Sequence, residues 1–208
     1  MCGGMTMIGV LAYGSLITDP GSELVEITVA VSKDVLTPFS VEFARKSRKR
    51  CGAPTLVPVD HGGCPVRAVI FHVEGTPCEV ADIVYRREIH AVGSSRTYSE
   101  PTSNRPDAVR IARFEELAGF DLVLTTHLAA NIAPLSAEIL ADLAIASARE
   151  LSDGRDGISY LIDAQASGIE TPLSPQYAAC IFAQTGTTDL TAALRTVRAK
   201  AVTPRQKL

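Results

Sequence analysis

The chain lacks several features that would have placed it quickly. No stretch approaches the roughly 18 consecutive apolar residues a membrane helix needs, and the first 25 residues hold no basic segment followed by a clean apolar run. The expectation is a cytoplasmic protein with no membrane partner. Positive charge is not in excess: 20 Lys and Arg face 23 Asp and Glu, for a formal net charge of -3. No global field therefore attracts nucleic acid, and a nucleic-acid partner is not expected. Cysteine is sparse and irregular. The five residues Cys2, Cys51, Cys64, Cys78 and Cys180 are odd in number, widely spaced and without a CxxC pair, which fits reduced thiols better than a disulfide framework. No HExxH, internal repeat or low-complexity tract occurs, and no metal or cofactor is expected.

What is present is an ordinary core-forming composition, 46% hydrophobic and 21% charged over 208 residues, enough for one sizeable core and a single domain. Residues 1–133 read mainly as strands and residues 134–208 as helices. Met7 to Ala12 form an apolar run entering Tyr13-Gly14-Ser15-Leu16, the pattern of a buried strand ending in a tight turn. Phe39, Val41 and Phe43 alternate with Ser40, Glu42 and Ala44, so one face of a strand is expected inside. Thr55 to Val59 and Val66 to Val73 flank Asp60-His61-Gly62-Gly63, a turn composition that predicts a hairpin.

Thr76-Pro77-Cys78-Glu79 has the composition of a capping box with Pro at the first helical position. The helix it starts carries Val80, Ile83, Val84 and Ala91 at helical spacing, with Glu88 on or beside that stripe. Residues 94–107 are rich in Ser, Pro and Asn and predict a long loop, a class that is often functional. Val109 to Phe114 and Leu122 to Leu128 complete about six strands. Ser136, Asp156 and Thr188 or Asp189 are then positioned to cap three helices, with Gly168 stopping the second. Strands first and helices last predict α+β. Six short strands avoid exposed edges by closing, so a small mixed β-barrel with flanking helices and a helical C-terminal third is expected.

Two features carry chemistry. A strand that ends in Gly-Ser presents successive backbone N–H groups that no ladder partner occupies, donors suited to a carboxylate or an oxyanion. A carboxylate on an apolar stripe, as Glu88 is, is desolvated, and desolvation favours the neutral form that a base working near neutrality needs. The plainer readings are a strand-ending turn and an ion pair of Glu88 with Arg86 or Arg87. The basic run Arg45-Lys46-Ser47-Arg48-Lys49-Arg50 is read as a solvated loop, the rim of an anionic-ligand site or a nucleic-acid contact.

Taken together, the apolar strand into YGSL, the alternating strand entering Arg45, the Thr55-Leu56-Val57-Pro58-Val59 strand and the helix ending Tyr85-Arg86-Arg87-Glu88 resemble the gamma-glutamylcyclotransferase-like superfamily, closest to its ChaC-like branch. Leu122 to Pro134 leading into a helix, followed by Asp156-Gly157-Ile158-Ser159-Tyr160-Leu161, is similar to the C-terminal part of that branch. The resemblance implies a cofactor-free enzyme that cleaves a γ-glutamyl amide to 5-oxoproline and an amine. Tyr13, Gly14, Ser15 and Leu16 would cradle the γ-glutamyl group, Glu88 would be the general base and acid, and Arg45 would meet a substrate carboxylate. Where the branch carries Gly-Tyr soon after the Glu, this chain has Ile89-His90-Ala91-Val92-Gly93, and its next tyrosine is Tyr98. Either Tyr98 substitutes through a longer loop, or the substrate is a γ-glutamyl compound other than glutathione.

Four other readings stand beside this one. Met1-Cys2-Gly3-Gly4 resembles the start of N-terminal-nucleophile glutamine amidotransferases. Cys51 could serve a Cys-His hydrolase, or His61, Cys64 and Cys78 a metal site. From a different class, the chain could be a non-catalytic ligand-binding or regulatory protein on the same barrel.

Overall fold

A computed structural model describes residues 6–103, 105 and 107–202. The Met1-Cys2-Gly3-Gly4 motif lies outside the described residues. The fold is α+β, with seven strands among the described residues in a five-stranded mixed sheet and a separate two-stranded sheet. Contacts divide the chain into two compact units, one of residues up to Pro38 with Pro65–Ala129, the other of Phe39–Cys64 with residues from Ala130 onwards.

The first unit is built on β1 (Ile8–Ala12), all five residues of which are buried. β1 pairs antiparallel with β5 (Arg67–Val73) and parallel with β7 (Phe120–His127). β2 (Thr28–Leu36) and β6 (Arg110–Leu117) form the two edges, giving the order β2-β5-β1-β7-β6. Gly9 is required at the centre, because a Cβ there would meet Ile70 Cγ2 at 2.5 Å and Phe120 Cδ1 at 3.0 Å. Between β1 and β2 lie two short helices, α1 (Ser15–Thr18) and α2 (Ser22–Ile27). α3 (Pro77–Glu88) starts at the predicted capping box: Thr76 Oγ1 accepts from Glu79 N–H, and Glu79 accepts from Thr76 N–H at 2.8 Å. Its buried side, Val80, Ala81, Ile83 and Val84, packs with Ile8, Val10, Ala12, Leu16 and Leu124 in one hydrophobic cluster.

In the second unit, β3 (Val41–Ser47) pairs antiparallel with β4 (Ala53–Pro58). Four helices follow: α4 (Ala137–Glu150), α5 (Gly157–Ala166), α6 (Ser174–Thr185) and α7 (Leu190–Val202). Ser136 and Asp156 cap α4 and α5 as their residue types predict, accepting from Ile139 N–H and from both Ile158 and Ser159 N–H. Gly157 is pressed against Ala144, 2.7 Å from its Cα to a Cβ placed on the glycine, so α4 and α5 meet where no side chain fits.

Four expectations are corrected. No pairing among the described residues joins β2 to β6, so the predicted barrel closure is not formed and the sheet stays open. The predicted hairpin across Asp60-His61-Gly62-Gly63 does not form either: β4 pairs with β3, while β5 joins the other sheet. β3 is buried on both faces, Glu42 and Ala44 included, which defeats the alternation read from its sequence. β2, α2 and α6 were not anticipated. β2 is largely exposed and lacks a buried alternate row, and α6 opens at Leu173 without a side-chain cap. Among the described residues, no helix is long and apolar enough to cross a membrane.

Candidate functional site

The site begins where β1 ends. Gly14 adopts φ 59 and ψ -135, a conformation that residues with a Cβ avoid, and this turns the chain out of the sheet and into α1. Ile17 N–H then donates to the Gly14 carbonyl at 3.1 Å and Asp19 N–H to the Ser15 carbonyl at 2.9 Å. Residues opening a helix have no intrahelical acceptor for their N–H groups, and Ser15 and Leu16 are the first two residues of α1. Tyr13 and Ser15 are half-buried, Gly14 is buried, and the Leu16 side chain belongs to the core. Of the four predicted contact residues, Leu16 therefore offers its backbone and uses its side chain as an anchor.

Glu88 is the last residue of α3. The chain leaves the helix through His90, at φ 57, with His90 N–H on the Arg87 carbonyl at 3.1 Å and Ala91 N–H on the Arg86 carbonyl at 2.8 Å. Ala91 consequently falls beyond the helix and is not part of its apolar stripe. The Glu88 side chain is 21% exposed, and its Oε2 lies 3.5 Å from Arg87 Nη1. Its surroundings are thus not purely apolar: a cation stands on one side and the carbonyl end of the α3 dipole on the other.

Arg87 is the residue the sequence did not single out as a link. Its Nε donates to the Asp19 carbonyl at 2.9 Å, and its Nη2 to the Ser15 carbonyl at 3.1 Å and to Ser15 Oγ at 3.4 Å. The side chain is only 12% exposed. Gly21, at φ 80, lies against its stem, where a Cβ would approach Arg87 Cγ to 3.2 Å. One guanidinium therefore holds the turn after β1 on one side and faces Glu88 on the other. Arg86 is turned elsewhere, with Nε on the Glu23 carboxylate at 3.0 and 3.1 Å and Nη1 on the Arg96 carbonyl at 3.0 Å, tying α2 and the following loop to α3. Neighbouring arginines on a helix point about 100° apart, which is why the pair reaches two different partners.

The remaining predicted residues are not gathered around Glu88. Tyr98 N–H donates to Asp82 Oδ1 at 2.6 Å, its hydroxyl donates to Glu100 and accepts from Ile111 N–H at 3.0 Å, and its ring lies 5.6 Å from that of Tyr85. Among the described residues, none of these partners is Glu88 or the turn. Burial, reinforced by the bond to Glu100, pushes the Tyr98 hydroxyl above its ordinary pKa, while the Tyr98 hydroxyl and then Arg110 hold Glu100 below its own. Tyr98, Asp82, Glu100, Cys78 and Arg113 line a cleft of about 350 Å³ on that side of α3. Arg45 belongs to the second unit, on β3, where it is 7% exposed and faces Thr55.

The rival residues carry little. Cys51 is exposed at φ 49, and Cys64 Sγ donates to the Glu170 carbonyl at 3.5 Å, with burial and then Glu42 pushing its thiol upward. Among the described residues, no group of three or more His, Cys, Asp or Glu side chains converges as a metal site. His72 Nε2 lies 2.7 Å from Ser32 Oγ and meets Phe120 edge to face, a histidine held within the sheet. No protein-family model matches the chain, and no curated protein matches it significantly.

Proposed function

We propose that the chain is a gamma-glutamylcyclotransferase-like enzyme that cleaves a γ-glutamyl amide to 5-oxoproline and a free amine. The observation that carries this reading is the Arg87 bridge, which puts the Ser15 carbonyl at 3.1 Å and the Glu88 carboxylate at 3.5 Å from a single guanidinium. A proton acceptor and a row of helix-opening N–H groups are thereby held around one small region. The chemistry asks for little more.

The substrate α-ammonium gives a proton to Glu88, and the free amine attacks the γ-carbonyl carbon of its own chain. This forms the C–N bond of a five-membered lactam. The nucleophile is already tethered, so the reaction gains effective molarity and consumes no water. The oxyanion is held by backbone N–H groups of Gly14 to Leu16. The scissile C–N bond then breaks as Glu88 passes its proton to the leaving nitrogen. The lactam nitrogen's second surplus proton follows the same route, so the amine departs as an ammonium and charge balances. In this reading Tyr98 lies outside the proton path, and the substrate is a γ-glutamyl compound in general, with glutathione one candidate among several.

The test is release of 5-oxoproline from glutathione, γ-glutamyl dipeptides and γ-glutamyl amines. Glu88→Gln should remove it while the circular dichroism spectrum stays native, and full activity in that variant would sink the mechanism. The pairing of Glu88 with Arg87 also suits a second reading, a non-catalytic site that binds a small zwitterion. Binding without turnover by the unmodified protein would favour that one.

A further inference from the structure

We infer that Arg87 is the specificity-determining residue of this site, and that its Nη1 recognises the α-carboxylate of the glutamyl group while Glu88 faces the α-ammonium. The inference rests on the cyclising reading above and narrows its substrate class to compounds with both α-groups free. It follows from an inventory of donors. A guanidinium has five N–H groups. Nε is spent on the Asp19 carbonyl at 2.9 Å, and Nη2 on the Ser15 carbonyl and hydroxyl at 3.1 and 3.4 Å. Nη1 has Glu88 Oε2 at 3.5 Å, longer than an N–H···O bond of ordinary strength. Among the described residues both of its hydrogens are therefore available, on a side chain that is 12% exposed and cannot swing away without breaking its other bonds.

A cation and an anion set side by side with unspent capacity match a zwitterion. In an α-amino acid the ammonium nitrogen and the carboxylate carbon share one carbon, so they can engage Glu88 and Arg87 Nη1 together. Seating both would orient the amine toward the γ-carbonyl and make the turn, the base and the carboxylate clamp a single unit. Arg86 has no such role, because its Nε and Nη1 are engaged by Glu23 and Arg96.

The experiment compares glutathione, γ-glutamyl-alanine and γ-glutamyl-butylamine, each paired with the analogue whose glutamyl α-carboxylate is a carboxamide, in the unmodified enzyme, in Arg87→Gln and in Arg87→Lys. Charge-assisted bonds of this kind predict that the unmodified enzyme prefers the carboxylate form by on the order of 10–100-fold in kcat/KM. In Arg87→Gln both forms should lose activity, because the turn after β1 loses its brace, but the carboxylate form should lose more, mainly through KM, so that the preference collapses. Arg87→Lys should keep part of it. A merely structural role would lower both forms equally, and that result overturns the inference while leaving the cyclising reading intact. If the variants do not fold, the unmodified enzyme decides alone, since equal rates on the two forms overturn the inference. No 5-oxoproline from any of the six compounds overturns the cyclising reading and this inference with it.

Discussion

Two glutamates, one in each unit, sit in opposite circumstances. Glu42 on β3 is 0% exposed, and its oxygens accept from Phe43 N–H at 2.8 Å, Thr171 Oγ1 at 2.5 Å and Leu173 N–H at 3.1 Å. Every donor around it is committed, so it works as a staple that ties β3 to the segment entering α6. Glu88 on α3 is partly exposed and, among the described residues, has a single cation at 3.5 Å. Burial alone would thus single out Glu42. What distinguishes the two carboxylates is hydrogen-bonding capacity left over, because a group whose partners are all internal has nothing to offer a ligand.

The strongest way to break this comparison is Glu88→Gln, which should lower 5-oxoproline release by about 10²–10⁴-fold, the usual worth of general acid-base catalysis, with the thermal midpoint little changed. Glu42→Ala should do the reverse. It strands buried donors at roughly 1–3 kcal/mol apiece, so a loss of about 3 kcal/mol or more in urea unfolding is expected. A Glu42→Ala protein of normal stability would mean its donors find other acceptors.

Tyr177→Phe sharpens the contrast inside the second unit. Tyr177 is fully buried, packs edge to face on Phe43 at 5.4 Å, and its hydroxyl has no partner among the described residues. Burial pushes that hydroxyl strongly upward in pKa, with Asp156 adding to the effect. Deleting it should leave stability unchanged or raise it by about 1 kcal/mol, measured by the same urea titration. The smallest effect belongs to Glu100, whose carboxyl the Tyr98 hydroxyl and then Arg110 hold below its ordinary value of 4.5. Its contribution is therefore present above pH 4.5 and lost as pH falls through the lower folded value. Glu100→Gln should flatten the acid limb of stability there, and only slightly, since the carboxylate is 60% exposed and screened by solvent.

How much of this was legible depends on how local each signal is. The capping box at Thr76-Pro77-Cys78-Glu79, the caps at Ser136 and Asp156, and the glycine turn after β1 all involve residues within a few positions of one another, and each could be read directly. Glu88 could be placed on its helix, but its neighbourhood could not be read: Ala91 was assigned to the stripe because periodicity does not register that His90 ends the helix at φ 57. Arg87 was visible only as a possible ion-pair partner. Its bond to Ser15 spans 72 residues of sequence, and no spacing rule reaches that far. Tyr98 was offered as one of two alternatives where the resemblance lacks its Gly-Tyr, and the bond of its backbone N–H to Asp82 on α3 is a contact that no spacing rule gives.

The sequence alone determined the order of elements at helix caps and glycine turns, the α+β class, and which glutamate and which turn to examine, because those depend on propensities and hydrogen bonds between near neighbours. Only the tertiary structure decided that β4 and β5 part company into separate sheets, that the five-stranded sheet stays open, that Glu42 is saturated while Glu88 is not, and that one guanidinium links Glu88 to the turn after β1. Those outcomes depend on which distant backbones pair and which donors are already spent, quantities that exist only once the chain has folded.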